Sequence, residues 1–405
     1  MKETVVIAGA GHAAGQLVVS LKQKQYDGRI VLVGDEPYLP YQRPPLSKKF
    51  LAGAMEAERL FVKPASFYDD ADIELRLETE IAAIDRDGKC LRSSDGDEIR
   101  YDKLVLALGS RARQLPVEGA KLECVHYLRS IADVDGIRED FRPGRRLVVV
   151  GAGYIGLEVA AVAQQAGLDV TVIEMADRVM SRVVSPEISD FYQIEHTNQG
   201  VRFRLSTGVS AFTGKKRVKS VTTSEGEEIP ADLVVIGVGI LPNTELATEA
   251  GLDIDNGIVV DDHCRTADPD VYAAGDCTSH PNAIYGRRLR LESVHNAVEQ
   301  AKTAAANICG QDTSYSQVPW FWSDQYDLKL QIAGLSEGYD SVAIRGNPVE
   351  RSFSCLYLKD NRLIAVNAIN TPRDFVQSKQ LIADRVEMDP GSLGDATAAL
   401  KDLVT

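Results

Sequence analysis

No cysteine occurs before Cys90 in this chain of 405 residues, and none of the six present is spaced C-x-x-C from another. Neither a zinc site nor a dithiol redox motif is signalled, and no metal is expected. Cys90, Cys124, Cys264, Cys277, Cys309 and Cys355 are read instead as buried, reduced thiols. Long hydrophobic runs are missing too: nothing reaches the roughly 18–20 apolar residues that cross a bilayer. The opening Met1-Lys2-Glu3-Thr4 leads into a short apolar run and then glycines, unlike a secretory signal, so a cytoplasmic protein is expected. Positive charge is in deficit, with 45 Lys and Arg against 59 Asp and Glu and a formal net charge of −14. Nucleic-acid binding needs a positive footprint, which this balance opposes. A chain this long exceeds one hydrophobic core, so two or three domains are expected.

What the chain does contain is one design used twice. Val5-Val6-Ile7-Ala8 has the short apolar run of a buried parallel strand. Gly9-Ala10-Gly11-His12-Ala13-Ala14 follows, a G-x-G-x-x-A form of the dinucleotide fingerprint. A helix is expected from Gly15 to Gln25, then a strand from Arg29 to Val33 ending at Gly34-Asp35-Glu36. Gly9 allows the tight turn, Gly11 lets the backbone approach a pyrophosphate, and the small Ala14 lets helix and strand pack closely. The helix N-terminus offers free N–H groups and partial positive charge to phosphates. Asp35 or Glu36 can accept hydrogen bonds from a ribose diol.

The second unit runs from Arg146 to Val150, then Gly151-Ala152-Gly153-Tyr154-Ile155-Gly156, a full G-x-G-x-x-G. A helix is expected from about Leu157 to Ala166, stopped by Gly167, and a strand from Asp169 to Ile173 ending at Glu174. A carboxylate at Glu174 would accept hydrogen bonds from both ribose hydroxyls of NAD and repel the extra phosphate of NADP. Met175 and Ala176 follow in place of arginine, while Arg178 and Arg182 further on leave NADP open. Two such units imply two dinucleotides, and hydride transfer from a nicotinamide to a flavin.

Two further segments are similar to those of flavoprotein disulfide reductase-type folds. Tyr101-Asp102-Lys103-Leu104-Val105-Leu106-Ala107-Leu108-Gly109-Ser110 resembles their "A-T-G" strand, with Leu108 in place of Thr. Thr266 to Asp276, ending Tyr272-Ala273-Ala274-Gly275-Asp276, resembles their second FAD motif, in which Asp276 would reach the ribityl hydroxyls. A helix N-cap is the alternative or concurrent role for Asp276. Val234 to Asn243 looks like the crossover returning to a discontinuous FAD domain. The expected fold is α/β, with two Rossmann-like dinucleotide-binding domains of glutathione reductase type and a C-terminal α+β domain. The boundaries are 1–114 and 244–318 for FAD, 115–243 for NAD, and 319–405 for the C-terminal domain.

Disulfide reductases of this fold carry a C-x-x-x-x-C pair after the first unit, and the related oxidases and peroxidases a single cysteine. This chain instead has Leu39-Pro40-Tyr41-Gln42-Arg43-Pro44-Pro45-Leu46-Ser47-Lys48. That segment, with Pro319-Trp320-Phe321-Trp322-Ser323-Asp324-Gln325-Tyr326, Leu291 to Ala297 and Gln377 to Gln380, resembles FAD-dependent NADH:ferredoxin reductases of the oxygenase-coupled type over essentially the full length. The resemblance implies electron transfer from NADH through FAD to a [2Fe-2S] ferredoxin that supplies a haem-thiolate monooxygenase or ring-hydroxylating dioxygenase. It implies that Lys48, near a helix's first turn, lies close to the flavin and pairs with Glu158. It further implies FAD contacts at Ala13, Arg43, Ile81, Ala107, Gly109, Arg129, Val294 and Trp322. Strand alternation places Trp320 and Trp322 on one face, serving either the flavin and partner or plain interface packing. An acidic ferredoxin calls for a local basic patch, for which Arg287, Arg288, Arg290, Lys302, Lys329, Arg345 and Lys379 are candidates. A monomer or weak homodimer is expected, with no membrane or nucleic-acid partner. Reduction of rubredoxin or a small molecule, or a redox-sensing role like that of the apoptosis-inducing flavoprotein, remain alternatives.

Overall fold

The computed structural model describes residues 2–404. The chain divides into two compact units: Met1–Arg43, Glu58–Arg111 and Leu241–Pro319 form the first, and Pro44–Ala57, Ala112–Ile240 and Trp320–Thr405 the second.

The first unit is built on five parallel strands in the spatial order Val271–Ala273, Lys103–Leu106, Thr4–Ala8, Arg29–Val33, Ile73–Arg76. Val5 and Ile7 face one core and Val6 and Ala8 another, all four without exposure. Burial on both faces explains why the sequence here is an unbroken apolar run rather than an alternating one. The helices His12–Gln23 and Val294–Ile308 pack on one face, through Leu17, Val18, Leu21, Ala301, Ala304 and Ala305. The other face carries Leu91 and Ile99 from a three-stranded antiparallel sheet. The first helix starts at His12, three residues earlier than expected, with Gly11 as its N-cap. The last part of the glycine motif is therefore already helical.

The second unit repeats this plan with parallel strands ordered Arg202–Arg204, Asp169–Ile173, Arg146–Val150, Leu233–Ile236, Val125–Tyr127. Its glycine-turn helix spans Tyr154–Gln165, again beginning inside the motif, and Gly167 ends it by donating to the Gln164 carbonyl. The unit also holds an antiparallel sheet in the order Trp320–Gln325, Leu328–Gly334, Arg362–Ile369, Ser352–Lys359, Ser341–Asn347, backed by the helix Pro372–Ala383. Under that helix Arg345, 3% exposed, pairs with Asp374 at 3.1 Å and donates to the carbonyls of Asp395 and Ala398. It ties down the C-terminal segment and is not a surface residue, which corrects its candidacy for a docking patch.

Pro44 does open a helix, a single 3-10 turn over Pro44–Ser47, and Lys48 directly follows its last residue. Asp276 caps no helix: the chain turns directly into the strand Thr278–Asn282, and the next helix is capped by Ser293. Among the described residues, no helix is long and apolar enough to cross a membrane.

Candidate functional site

The two glycine turns share one geometry. Gly9 has φ +109 and Gly151 φ +103, and a Cβ on either would collide with a crossing-strand carbonyl, Ala107 O at 2.2 Å or Gly237 O at 2.5 Å. Only glycine fits such a position. Gly11 and Gly153 are the N-caps of their helices, and neither provides a side-chain hydrogen bond to the first turn. A Cβ on Gly11 or Gly153 would meet no protein atom within 4 Å. Each helix end thus turns its N–H groups and positive end of the dipole outward, as a pyrophosphate requires. Both turns fit a dinucleotide.

The predicted residues of the first unit stand as follows. Ala13 and Ala14 are buried in the opening helical turn, and Ala107 is buried beside Gly9. Asp35 is exposed at the end of its strand. Glu36 does not stand free as a ribose acceptor: it accepts from Arg43 and from the Tyr41 hydroxyl, each at 2.7 Å. Arg43 also donates to Tyr41 at 2.8 Å. Gly275 is buried just past the strand Val271–Ala273, and Asp276 accepts from Ser110 Oγ at 2.7 Å. Gly109 lies in the link before the strand Ser110–Ala112, Ile81 opens its strand, and Val294 opens the helix beyond Ser293. Next to Asp276, burial pushes the Cys277 thiol up to about 11. It likewise pushes Cys355, in the second unit, up to about 12. At neutral pH neither is a thiolate, the form that reacts.

In the second unit Glu174 ends its strand with both carboxylate oxygens engaged, one by Ala152 N at 2.7 Å and the other by Ala176 N at 2.9 Å. It braces the glycine turn itself. Arg178 donates to the carbonyls of Ser181 and Val184, so that guanidinium is committed to its own loop. Tyr154 packs on Phe321, ring centroids 4.9 Å apart, while Ile155 is 39% exposed. The Gly156 position abuts the Gly151 carbonyl. Arg129 precedes the capping box formed by Ser130 and Asp133, to which its backbone N–H also donates.

Lys48 and Glu158 come together as a salt bridge of 2.7 Å, with the lysine side chain 17% and the glutamate 3% exposed. Glu158 also accepts from Ser47 Oγ at 2.5 Å and from Ser323 Oγ at 2.6 Å. A carboxylate this buried persists as an ion only when paired and fully hydrogen-bonded. Ser47 and Ser323 were not singled out from sequence, although both lie inside the R-P-P-L-S-K and P-W-F-W-S-D-Q-Y segments. Trp320 and Trp322 share a face, their centroids 5.5 Å apart.

Several basic candidates are already occupied. Arg288 donates to the Val260 and Ser279 carbonyls, Arg290 pairs with Glu292 at 2.6 Å, and Lys302 pairs with Glu299 at 2.6 Å. Lys329 and Arg287 are exposed, and Lys379 sits over the rings of Phe375 and Trp320 at 4.9 and 5.8 Å.

Comparison with known proteins gives a coherent set of matches. The family described as pyridine nucleotide-disulphide oxidoreductase matches residues 3–301, and that described as reductase C-terminal matches 320–404. Putidaredoxin reductase of Pseudomonas putida is 44% identical, covering 99% of this chain and 97% of its own. Rhodocoxin reductase of Rhodococcus erythropolis is 44% identical over 98% of this chain and 93% of its own. A crystal structure of a covalent putidaredoxin reductase–putidaredoxin complex matches with a TM-score of 0.96 at 43% identity, covering 99% of this chain and 98% of the other.

Proposed function

Because the chain belongs to the pyridine nucleotide-disulphide oxidoreductase family, among its ferredoxin reductases, we propose that it carries electrons from NADH through FAD to a [2Fe-2S] ferredoxin serving an oxygenase. The observation that carries this reading is the pair of matching glycine turns in a chain with no cysteine before Cys90. Residues 1–114 and 244–318 are assigned to FAD, 115–243 to NAD and 319–405 to the C-terminal domain. Bound FAD supplies a two-electron acceptor for the hydride of NADH and a donor that releases those electrons singly to a one-electron carrier.

The protein's own task is to hold and orient, which can lower a barrier by about 7–11 kcal/mol. The helix ends at Gly11 and Gly153 hold the two pyrophosphates. Glu174 accepts one backbone N–H at each oxygen and keeps a further lone pair on each, with which it holds the adenosine ribose of NAD and disfavours a 2′-phosphate, so NADH is preferred. Asp35, Asp276 and Arg43 serve the FAD, and Glu36 keeps Arg43 in place. Lys48 stabilises negative charge on the reduced flavin, and Glu158 holds Lys48. Trp322 offers the flavin a packing surface. A cytoplasmic location suits a consumer of NADH whose thiols are all free.

Stopped-flow oxidation of NADH by the FAD-loaded protein, with a panel of iron–sulfur proteins as acceptors, tests the assignment. Turnover should rise at least tenfold with a cognate [2Fe-2S] ferredoxin and stay low with oxygen alone. Equal consumption with and without any iron–sulfur protein would make it an oxidase. Ferredoxin reduction should also slow steeply between low and high salt, because an acidic carrier must find cations such as Lys329 and Lys379 on a protein of net charge −14. A flat salt profile would remove electrostatic docking.

A further inference from the structure

A file of hydrogen bonds runs through the second unit from the turn at Tyr326 to Lys48. The Tyr326 hydroxyl meets His196 Nδ1 at 3.1 Å, and His196 Nε2 lies 2.8 Å from Gln325 Oε1. Gln325 Nε2 donates to Ser323 Oγ at 3.1 Å, and Ser323 Oγ donates to Glu158 Oε1 at 2.6 Å. Lys48 and Ser47 reach the other oxygen, Oε2. His196 and Ser323 have no exposure, and Gln325 has 1%.

The direction of each bond follows from chemistry. Burial pushes the His196 imidazole down to about 4, so at neutral pH the ring is uncharged, with one donor and one acceptor. The Gln325 oxygen requires a donor, which places the hydrogen on Nε2 and leaves Nδ1 to accept from Tyr326. The amide nitrogen of Gln325 then donates to Ser323, whose single hydrogen goes to Glu158. Every donor along the file points toward one carboxylate, and bonds aligned this way polarise one another. A purely mechanical role is already served elsewhere: Arg351 joins the same hairpin turn to the helix Pro186–Asn198, 2.5 Å from Asp327 and 3.2 Å from Glu195.

We propose that Ser323, Gln325, His196 and Tyr326 are positioning residues whose aligned hydrogen bonds hold Glu158 as a fixed anion and thereby set how Lys48 presents its positive charge. The inference rests on the reading of Lys48 as the group that stabilises the reduced flavin.

The test uses the full-length, FAD-loaded protein and the variants Ser323→Ala, Ser323→Thr, Tyr326→Phe and Lys48→Ala, with the first and third also combined with Lys48→Ala. The flavin midpoint potential comes from dye-equilibrated titration, and flavin reduction by NADH from stopped flow. Ser323→Ala should shift the flavin's two-electron equilibrium about tenfold, which is roughly 30 mV, and slow flavin reduction by a similar factor. Ser323→Thr, which keeps the hydroxyl, should restore both. Tyr326→Phe, at the far end, should give about a threefold change and remains informative if Ser323→Ala fails to hold FAD. Both effects should vanish when Lys48 is already alanine, because coupled residues are not additive. Effects of equal size with and without Lys48 would show ordinary structural damage and overturn the inference. If Lys48→Ala shifts the potential while Ser323→Ala and Tyr326→Phe do not, the file is inert and the Lys48 reading stands. A potential unmoved by Lys48→Ala sinks the Lys48 reading and the inference with it.

Discussion

Gly9→Val should purify as a colourless protein. The substitution places a β-branched side chain at φ +109, a region such residues avoid, with its Cβ 2.2 Å from the Ala107 carbonyl. Neither neighbour can yield, because Gly9 follows the strand Thr4–Ala8, which is hydrogen-bonded to Lys103–Leu106 on one side and Arg29–Val33 on the other. The turn must open, and the helix end at Gly11 then no longer points where a pyrophosphate would lie. The FAD-to-protein ratio by absorbance should fall at least tenfold. Gly151→Val is the matched control. Its Cβ meets the Gly237 carbonyl at 2.5 Å, so the same damage falls on the second turn. That variant should remain yellow while NADH reduces its flavin at least a hundredfold more slowly. A Gly9→Val protein with full flavin content would mean that FAD is held elsewhere.

Arg345→Met should lower stability by about 3–5 kcal/mol, the range for breaking a buried ion pair at one partner. The methionine fills much of the volume, so the loss comes from charge. Among the described residues, Asp374, 6% exposed, would keep only Ser354 Oγ at 3.0 Å as a side-chain donor, and the carbonyls of Asp395 and Ala398 would lose their guanidinium. The thermal midpoint should fall by several degrees, and protease should cut first within the segment around Asp395. Adding Asp374→Leu should recover part of the loss, since no unpaired charge then remains buried. Full stability in the single variant would show that water reaches Asp374.

Much of this was legible in the chain because parallel strands buried on both faces write themselves as continuous apolar runs. Arg29–Val33, Arg146–Val150 and Asp169–Ile173 were placed to the residue. The helices that follow the glycine turns were expected about three residues late, because a G-x-G-x-x motif reads as a loop although its final residues already have helical backbone. Pro44-Pro45 marked an entry that a 3-10 turn uses as readily as an α-helix. What could not be read were polar partners brought together by tertiary packing. Ser323 lies 165 residues from Glu158, and Gln325 lies 129 from His196. Arg345 looked like any surface cation, since nothing local announces that a carboxylate and two carbonyls will enclose it.

The strand Val271–Ala273 completes the first sheet at its edge, beside Lys103–Leu106. During translation it leaves the ribosome long after its neighbour. A gap of roughly 165 residues, at about 5–20 residues per second, is a wait of some 8–33 s. Throughout that wait Leu104, Val105 and Leu106 present an unpaired apolar edge, the kind that recruits stray strands. The nascent chain is therefore most exposed to aggregation while its middle third is being made, and slowing synthesis there should lower the soluble yield more than slowing it near the end.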